Sequence, residues 1–186
     1  TKDLLPLLNQ RVLTTGKLSL VVLKAKGYEI TKENGLNNTE LKMASKIKKH
    51  FNNLEVPIDL ALNVNGKRKE ISVEELPKKH LVWDIGKNTI GLYKEEIANL
   101  GPREAVFFKG APGMFEYKEF AEGTRELLNA MAKSKAFSVI AGGQTSDAVR
   151  KFRINKKKIG YVSLSGGALV KYLAGEKLVG LEALKD

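Results

Sequence analysis

Glycines and one acidic residue follow an apolar segment near the middle of the chain, in a pattern that could bind a polar ligand. The segment 105–108 ends at the run from Lys109 to Gly113, and Glu116 follows shortly after. Glycine lets a backbone approach another group closely and adopt conformations that other residues avoid. A carboxylate beyond the end of a strand can accept hydrogen bonds from sugar hydroxyls. This stretch therefore predicts a strand, a ligand-binding loop that includes Gly110, and then a helix.

The same arrangement occurs twice more downstream. The apolar segment 137–140 leads into Gly142, Gly143, Gln144 and Thr145, and the segment 159–162 leads into Ser165, Gly166 and Gly167. Backbone N–H groups at the start of a helix attract anions, because they lack acceptors within the helix and the helix dipole is positive there. One such loop is weak evidence, since turns between strands and helices use glycine anyway. Three of them indicate a ligand that carries phosphate.

Strands and helices alternate along the chain, and this order predicts the fold class. The strands at 105–108 and 137–140 flank a helix predicted from Tyr117 to about Lys133, which makes a βαβ unit with parallel strands and a right-handed crossover. We therefore expect one α/β domain over residues 1–186, built as a three-layer αβα sandwich around a mostly parallel, Rossmann-like sheet. In such sheets ligands bind beside the carboxyl ends of the strands.

The first half of the chain contains further predicted elements. Residues 2–9 indicate the end of a helix. Thr39 is the expected N-cap of a helix that runs from Glu40 to about Phe51. Residues 66–77 are polar and irregular, and they predict at most a short edge strand at 71–73.

The composition limits the classes of protein that this chain can represent. It has no cysteine, which excludes disulfides and thiolate chemistry, and no apolar run approaches the ~20 residues that a membrane-spanning helix needs. The start lacks a signal-peptide pattern, so a cytoplasmic location is the default expectation. The sequence begins without methionine inside a folded pattern, from which we expect a fragment or a processed product.

The chain is strongly basic, with a net charge of +11 from 32 basic and 21 acidic residues. This charge admits nucleic acids or anionic metabolites as partners. The densest basic segment is 150–158, which has six basic residues in nine and Phe152 as its one aromatic residue. Because it lies between a predicted helix and a predicted strand, we interpret it as a solvated connection. Nucleic-acid binding is the less favoured interpretation.

Several common catalytic arrangements find no support in the sequence. The two histidines, His50 and His80, have no second histidine, cysteine or acid at metal-ligand spacing, so metal binding by histidine is not expected. Neither a Ser-His-Asp arrangement nor a pair of carboxylates can be argued.

Taken together, the motifs resemble those of one family. Residues 107–116 resemble the Trp-Asn-Gly-Pro-x-Gly-x-Phe-Glu signature of phosphoglycerate kinase, and residues 84–86 resemble its Asp-Ile-Gly-Pro. The runs 141–145 and 163–168 resemble its Gly-Gly-Gly-Asp-Thr and Ser-Thr-Gly-Gly-Gly-Ala loops, and residues 180–184 resemble its closing Pro-Gly-Val-Glu-Ala-Leu. The resemblance covers essentially the whole chain, but only the carboxy-terminal, nucleotide-binding domain of that enzyme. The amino-terminal domain, which holds the phosphoglycerate, has no counterpart in this sequence.

The resemblance implies roles for individual residues. Glu116 matches the acid that binds the ribose hydroxyls, and Gly16 matches a glycine that lines the adenine slot. The residues expected at the nucleotide phosphates are Lys109, Gly110, Gly142, Gly143, Gln144 and Thr145, and those expected at the transferred phosphate are Ser165, Gly166 and Gly167. In the family, catalysis consists of positioning and of stabilising charge on the phosphoryl group, which here implies the backbone N–H groups of Gly143 and Gly167. A tight turn is the alternative explanation for each glycine, and a favourable helix N-terminal position is the alternative for Glu116.

The chain departs from the family pattern at several of these positions. Gln144 stands where most members have the aspartate that holds the nucleotide's magnesium, and a neutral amide is a poor ligand for a hard cation. Either another group holds the metal, or the phosphates and water carry it. Lys109 replaces an asparagine and would supply positive charge to the phosphates. Trp83 replaces a small residue beside the base, and it either stacks on adenine or fills the core. These changes fit a divergent, archaeal-like branch.

The resemblance thus implies the ATP- or ADP-binding domain of a phosphoglycerate kinase. The full enzyme would transfer a phosphoryl group reversibly between 1,3-bisphosphoglycerate and ADP in glycolysis and gluconeogenesis. The implied cofactor is Mg²⁺ with ATP or ADP, 3-phosphoglycerate would bind through the amino-terminal domain, and these residues alone are expected to form an inactive monomer. The alternative is a non-catalytic module that binds nucleotides or, through its basic charge, nucleic acids. A dehydrogenase-type Rossmann domain is less favoured, because no Gly-x-Gly-x-x-Gly is present.

Overall fold

The computed structural model describes residues 10–47 and 52–184. The strands are β1 Val12–Leu13, β2 Leu54–Glu55, β3 Asp59–Val64, β4 Lys67–Ser72, β5 Leu81–Ile85, β6 Ala105–Lys109, β7 Phe137–Ala141 and β8 Tyr161–Ser163. The α-helices are α1 Gly16–Ala25, α2 Asn38–Ile47, α3 Lys87–Ala98, α4 Glu122–Lys133, α5 Gly143–Lys151, α6 Gly167–Leu173 and α7 Val179–Glu182. Within the described residues, no helix is both long and apolar enough to cross a membrane.

A parallel sheet of β6, β7 and β8 carries the predicted ligand loops. β7 lies in the middle, with Ala141 opposite both Lys109 of β6 and Ser163 of β8. The parallel βαβ unit predicted from the sequence is confirmed. β1 and β2 form a further parallel pair, and β3 lies between β4 and β5 in an antiparallel sheet. The α/β fold class is confirmed.

The segment that follows Asn65 forms a strand that its polar sequence does not predict. β3 and β4 form an antiparallel hairpin that closes at Asn65 and Gly66, both of which have positive φ. A two-residue hairpin turn needs this backbone twist, which Asn-Gly adopts readily. β4 covers Lys67–Ser72, so the prediction of a short edge strand at 71–73 was wrong in its extent. A strand at a sheet edge tolerates charges along most of its length, and it then lacks the apolar pattern by which strands are recognised.

Helix α2 begins with two reciprocal hydrogen bonds between Asn37 and Glu40, and its N-cap differs from the predicted one. The Asn37 side chain accepts the Glu40 N–H at 2.9 Å, and the Glu40 carboxylate accepts the Asn37 N–H at 2.8 Å. This capping box satisfies two backbone donors, so Asn37 rather than Thr39 caps the helix, which begins at Asn38. The predicted helix at 2–9, the end predicted near Phe51, and His50 lie outside the described residues.

α4 begins at Glu122, five residues later than predicted from the sequence. Lys118–Phe120 form a short 3-10 helix instead of the first turn of α4. Phe120 is only 1% exposed, and its ring centroid lies 5.1 Å from that of Trp83. The buried ring of Phe120 thus lies in the 3-10 turn that precedes α4.

The apolar side chains form two clusters that meet along β1 and β5. One cluster collects α1, α2 and β3, and the other collects α3, α4 and β7. In β1, Val12 packs on the first cluster and Leu13 on the second. In β5, Val82 packs on the first cluster and Ile85 belongs to the second. The ends of β1 and β5 therefore lie at the seam between the two clusters.

The start of β3 is joined to the start of α3 by a buried carboxylate. Asp59 is 5% exposed and accepts the N–H groups of Asn88 and Thr89 at 2.9 and 2.8 Å. A carboxylate at a helix N-terminus satisfies unpaired N–H donors and interacts favourably with the dipole. A Cβ at Gly86 would overlap this carboxylate, so the strand and the helix can meet this closely only at a glycine.

Gly86→Ala should lower the free energy of unfolding by about 1–3 kcal/mol, because the added methyl group overpacks the site around Asp59. The φ of Gly86 is −78°, which any residue adopts, so the loss would be steric. Gly91→Ala in α3 is the matched control, since nothing lies within 4 Å of the added methyl group. Alanine there should raise the free energy of unfolding by about 0.5–1 kcal/mol. Urea denaturation measures both changes, and equal effects would contradict the packing argument.

Candidate functional site

The carboxyl ends of β6, β7 and β8 place the three predicted glycine loops side by side. Lys109, Ala141 and Ser163 are in register across the parallel sheet. Gly110 follows the first strand, Gly142 follows the second, and residues 164–166 follow the third. The parallel direction of the strands thus brings all three loops to one edge, as the sequence predicts.

The second and third loops are in close contact at Gly142 and Gly166. Gly142 has a φ of 103°, and its N–H donates to Ser163 O at 2.9 Å. A Cβ on Gly166 would lie 3.2 Å from the Gly142 Cα and 3.7 Å from Cε of Lys109. A side chain at Gly166 would therefore push against the second loop, whereas at Gly142 the positive φ favours glycine. In contrast, a Cβ on Gly143 or Gly167 would meet nothing within 4 Å, so both residues face open space.

The first loop is fastened to α5 through a hydroxyl. Thr145 is 1% exposed, and its Oγ1 accepts the Gly110 N–H at 3.1 Å. In the third loop the Ser163 hydroxyl accepts the Ser165 N–H at 3.1 Å. The Thr145 hydroxyl thus holds the first loop to α5, and the Ser163 hydroxyl fixes the turn within the third loop.

Positive charge lies over the same edge. The side chain of Lys109 is exposed, reaches Gly166, and forms no ion pair with any described residue. The N-terminus of α5, which begins at Gly143, adds the positive end of its dipole. An exposed ammonium and helix N–H groups that converge on one point are suited to binding an anion.

A cleft of about 330 Å³ opens beside these loops. Its walls include Gly16 and Leu20 of α1, Trp83 of β5, and Pro112 and Met114 of the first loop. Gln144 also lines it, so the cleft reaches the start of α5 and the glycine loops. The lining is mostly apolar, with Lys17 and Asp84 as its charged residues, and Gln144 brings the cleft next to the glycine loops, which suits a ligand that has a flat apolar part and an anionic part.

Gly16 and Gly113 allow two close approaches within the protein itself. Gly16 has a φ of 55°, and a Cβ there would lie 3.4 Å from Ala111 O. A Cβ on Gly113 would overlap the Asp84 carboxylate and the carbonyl oxygen of Phe120. The glycine-rich loop was expected to approach another group closely. At Gly113 that group is part of the protein's own core.

Trp83 packs on the loop that carries Glu116. Its ring centroid lies 4.8 Å from that of Tyr117 and 5.1 Å from that of Phe120, and its carbonyl oxygen accepts the Met114 N–H at 2.8 Å. The side chain is half-buried and also lines the cleft. Trp83 therefore packs on the buried Phe120 on one side and forms part of the cleft wall on the other; whether it stacks on adenine stays a prediction.

Asp84 is a fully buried carboxylate next to the cleft. Arg68 Nη1 of β4 contacts its Oδ2 at 2.9 Å, and the N–H groups of Gly123 and Ile85 each donate to it at 2.9 Å. Burial raises the pKa of Asp84 to about 6, while Arg68 and the two N–H groups favour the charged form. Arg68 also donates to Ile85 O at 2.8 Å, so β4, β5 and the start of α4 are joined here.

Glu116 is exposed, two residues beyond Met114, and its carboxylate makes no hydrogen bond or ion pair with the described residues. Its carbonyl oxygen, by contrast, is held by Lys151 Nζ at 3.1 Å. The acid thus follows the cleft wall at Met114 by two residues, on a loop whose backbone is held in place.

The donor groups at the site do not make a metal centre by themselves. In residues 10–47 and 52–184, no three His, Asp or Glu side chains form a group that could hold a metal ion. Gln144 offers only a neutral amide oxygen at this edge, whereas Mg²⁺ prefers carboxylates and water.

Sequence reasoning found the glycine loops and missed the side chains that support them. Arg68 lies in a charged edge strand that was predicted to be irregular, and nothing in its local pattern marks it as buried. Lys151 was interpreted as part of a solvated basic segment, yet it contacts the loop of Glu116. Both contacts join residues far apart in the chain, which a local pattern cannot indicate.

Comparisons with known proteins point to one family. The family model described as phosphoglycerate kinase matches residues 2–176. The phosphoglycerate kinase of Methanothermus fervidus is 39% identical over 184 residues, which cover 94% of this chain and 43% of that protein. The phosphoglycerate kinase of Thermoplasma acidophilum is 37% identical over 185 residues, which cover 95% of this chain and 44% of that protein. Both relatives are archaeal, in agreement with the expected archaeal-like branch.

Solved structures give the same result. The structure of phosphoglycerate kinase from Pyrococcus horikoshii OT3 superimposes with a TM-score of 0.83 and 30% identity, covering 99% of this chain and 49% of that chain. That of the enzyme from Coxiella burnetii has a TM-score of 0.80 and 30% identity, covering 94% of this chain and 47% of that chain. This chain spans less than half the length of these relatives.

The carboxyl group of Asp84 should titrate near pH 6 rather than near its ordinary pKa of 3.8. Because the folded state then binds this proton more tightly than the unfolded state, the contribution of Asp84 to stability should fall as pH rises from about 4 to about 6. The fall amounts to about 1.4 kcal/mol per unit of pKa difference. NMR titration of the Asp84 carboxyl carbon measures the midpoint. Asp84→Asn should lose this part of the pH dependence, and a midpoint near 3.8 would contradict the expectation.

Proposed function

The chain belongs to the phosphoglycerate kinase family, and we propose that residues 1–186 are the carboxy-terminal, nucleotide-binding domain of such an enzyme. The observation that carries the proposal is the convergence of three glycine loops and the Lys109 ammonium on one edge of a parallel sheet. An apolar cleft that could accept a nucleotide base opens directly beside them.

In this proposal a nucleotide lies along the cleft with its phosphates over the glycine loops. The base occupies the part of the cleft near Gly16 and Trp83, and Glu116, which follows the cleft residue Met114 on the same loop, accepts the ribose hydroxyls. The phosphates meet the residues that face this edge: Lys109, Gly110, Gly142, Gly143, Gln144 and Thr145. Thr145 is buried, so its contribution is to fix Gly110 rather than to reach far into the cleft.

The proposed reaction is reversible phosphoryl transfer between 1,3-bisphosphoglycerate and ADP. The enzyme's contribution to such a transfer is alignment of the reactants and stabilisation of charge on the phosphoryl oxygens. Here the backbone N–H groups of Gly143 and Gly167 and the Lys109 ammonium would supply that charge stabilisation. The open space beside both glycines supports this assignment, because a phosphoryl group needs room to approach their backbone. Residues 165–167 would face the transferred group.

The proposal assigns the remaining partners to the whole enzyme. 3-Phosphoglycerate would bind through an amino-terminal domain, so these residues alone would bind ADP or ATP as a cytoplasmic monomer without turning over phosphoglycerate. Mg²⁺ would enter with the nucleotide. Since the described residues offer no carboxylate set, the phosphates and water would provide most of its ligands, with Gln144 as a weak neutral neighbour.

Calorimetric titration with Mg-ADP tests the function directly. The wild-type residues should bind ADP, and Glu116→Ala should weaken binding by about 1.5–3 kcal/mol, the value of a hydrogen bond to a charged group. Glu119→Ala is the matched control, because Glu119 is also exposed on this loop and should leave the affinity unchanged. An unchanged affinity in folded Glu116→Ala would reject the ribose role. Salt-sensitive binding to DNA without any binding of ADP would favour a nucleic-acid-binding module instead.

Binding of ATP should depend less on magnesium than the family pattern implies, because Lys109 adds a point charge and Gln144 adds no negative charge to the phosphate end. Gln144→Asp should make ATP binding more dependent on Mg²⁺, and Lys109→Asn should weaken binding in the absence of the metal. Both are measured as ATP affinity with Mg²⁺ and with a chelator. No change in the magnesium dependence of Gln144→Asp would remove residue 144 from the metal site. Unchanged metal-free binding by Lys109→Asn would make Lys109 a surface lysine.

A further inference from the structure

Helix α5 contacts the loop that carries Glu116 at both of its ends. We call residues 110–121 the Glu116 loop. At the first end, Thr145 Oγ1 accepts the Gly110 N–H at 3.1 Å. At the other end Lys151, the last residue of α5, donates from Nζ to Phe115 O at 2.8 Å and to Glu116 O at 3.1 Å. One rigid helix thus spans from the glycines at the sheet edge to the backbone of the acid.

The Lys151 ammonium is placed by three contacts with the loop. In addition to its two carbonyl acceptors, it lies 5.6 Å from the centroid of the Phe115 ring, within the range of a cation–π interaction. Phe115 is 4% exposed and packs edge-on against Phe152, which follows Lys151 in the chain. No carboxylate of a described residue pairs with Lys151, so its charge is directed at the loop backbone.

Other side chains hold the Glu116 loop before and after the Phe115–Glu116 stretch, whose carbonyl oxygens Lys151 holds. The Gly113 N–H is held by Thr124 Oγ1 at 3.3 Å, and Glu119 O is held by Arg68 at 3.3 Å. Within the part of the chain that the structure describes, no other side chain bonds to the carbonyl oxygens of Phe115 and Glu116. The Glu116–Tyr117 peptide is thus held at two points: its N–H donates to Met114 O at 3.0 Å, and its carbonyl oxygen accepts from the Lys151 ammonium, which is the only side-chain group of the described residues that bonds to it.

From these contacts we infer that Lys151 is a positioning residue, which orients Glu116 toward the ribose and couples that acid through α5 to the phosphate-binding glycines. The inference rests on the proposed function, because it takes the ribose as the ligand of Glu116. Lys151 itself does not line the cleft. Its removal should consequently affect the recognition of the ribose hydroxyls and leave the contacts with the base and the phosphates largely intact.

Lys151→Met tests this role, because methionine keeps an unbranched apolar side chain near Phe115 and removes the ammonium. Lys157→Met is the matched control in the same basic segment, and Lys151→Arg should retain part of the function. The probes are ADP and 2′,3′-dideoxy-ADP, which lacks both ribose hydroxyls, and calorimetry gives both dissociation constants. The wild type should prefer ADP by roughly tenfold or more.

In Lys151→Met the preference for ADP over the dideoxy nucleotide should fall by about threefold to tenfold, with little change in the affinity for the dideoxy nucleotide. Lys157→Met should behave as the wild type does. A second readout that needs no ligand is hydrogen exchange of the Tyr117 amide, which should become faster in Lys151→Met and not in Lys157→Met.

The outcomes separate this inference from the proposed function. If the wild type prefers ADP and Lys151→Met keeps the full preference, the positioning role is rejected and the nucleotide site stands. If the wild type shows no preference, the ribose role of Glu116 fails and this inference fails with it. An equal loss of affinity for both nucleotides would show that Lys151 supports only the general stability of the loop, and that result also overturns the inference.

Discussion

The buried carboxylate of Asp84 fixes the relative positions of three parts of the molecule that meet at the cleft. Arg68 binds it from the edge strand β4, the Gly123 N–H binds it from the start of α4, and Asp84 itself belongs to β5. A buried charge that lost its partner would cost several kcal/mol, so these elements cannot separate independently. The same carboxylate leaves no room for a Cβ at Gly113 or Gly123. One wall of the cleft is thus set by a charge and by the glycines that its packing requires.

The parallel strands impose the second constraint, and they divide the remaining glycines into two kinds. Because β6, β7 and β8 end in register, their loops must share a narrow edge. Gly142 and Gly166 are in contact with one another: a Cβ on Gly166 would meet Gly142 at 3.2 Å, and the φ of 103° at Gly142 favours glycine, so the loop geometry itself is a reason for both. Gly143 and Gly167 face open space and have φ values that need no glycine. At these two positions the structure supplies no internal reason for glycine, which is the argument for a ligand there.

The basic side chains of this protein contact different kinds of group. Arg68 and Lys151 bind groups of the protein itself, in one case a buried carboxylate and in the other two carbonyl oxygens. Lys109 pairs with no described carboxylate and lies over the glycine loops. Net charge alone therefore predicts little about partners, since the lysines that matter are distinguished only by what lies next to them.

The sequence by itself determined the α/β class, the parallel βαβ unit and the residues of the glycine loops, because each follows from local composition and order, and its motifs carried the resemblance to the family. It did not predict the length of β4, the capping of α2 by Asn37, or the start of α4 at Glu122. It also could not assign Trp83, Arg68 or Lys151 to the support of the site. The contacts of these three residues join segments that are distant in the chain, such as Arg68 with Asp84 and Lys151 with Glu116. Local patterns report the preference of a segment for a helix, a strand or a turn. Which buried charge finds which partner is decided only when the two apolar clusters pack and exclude water, because only then does an unpaired polar group become costly.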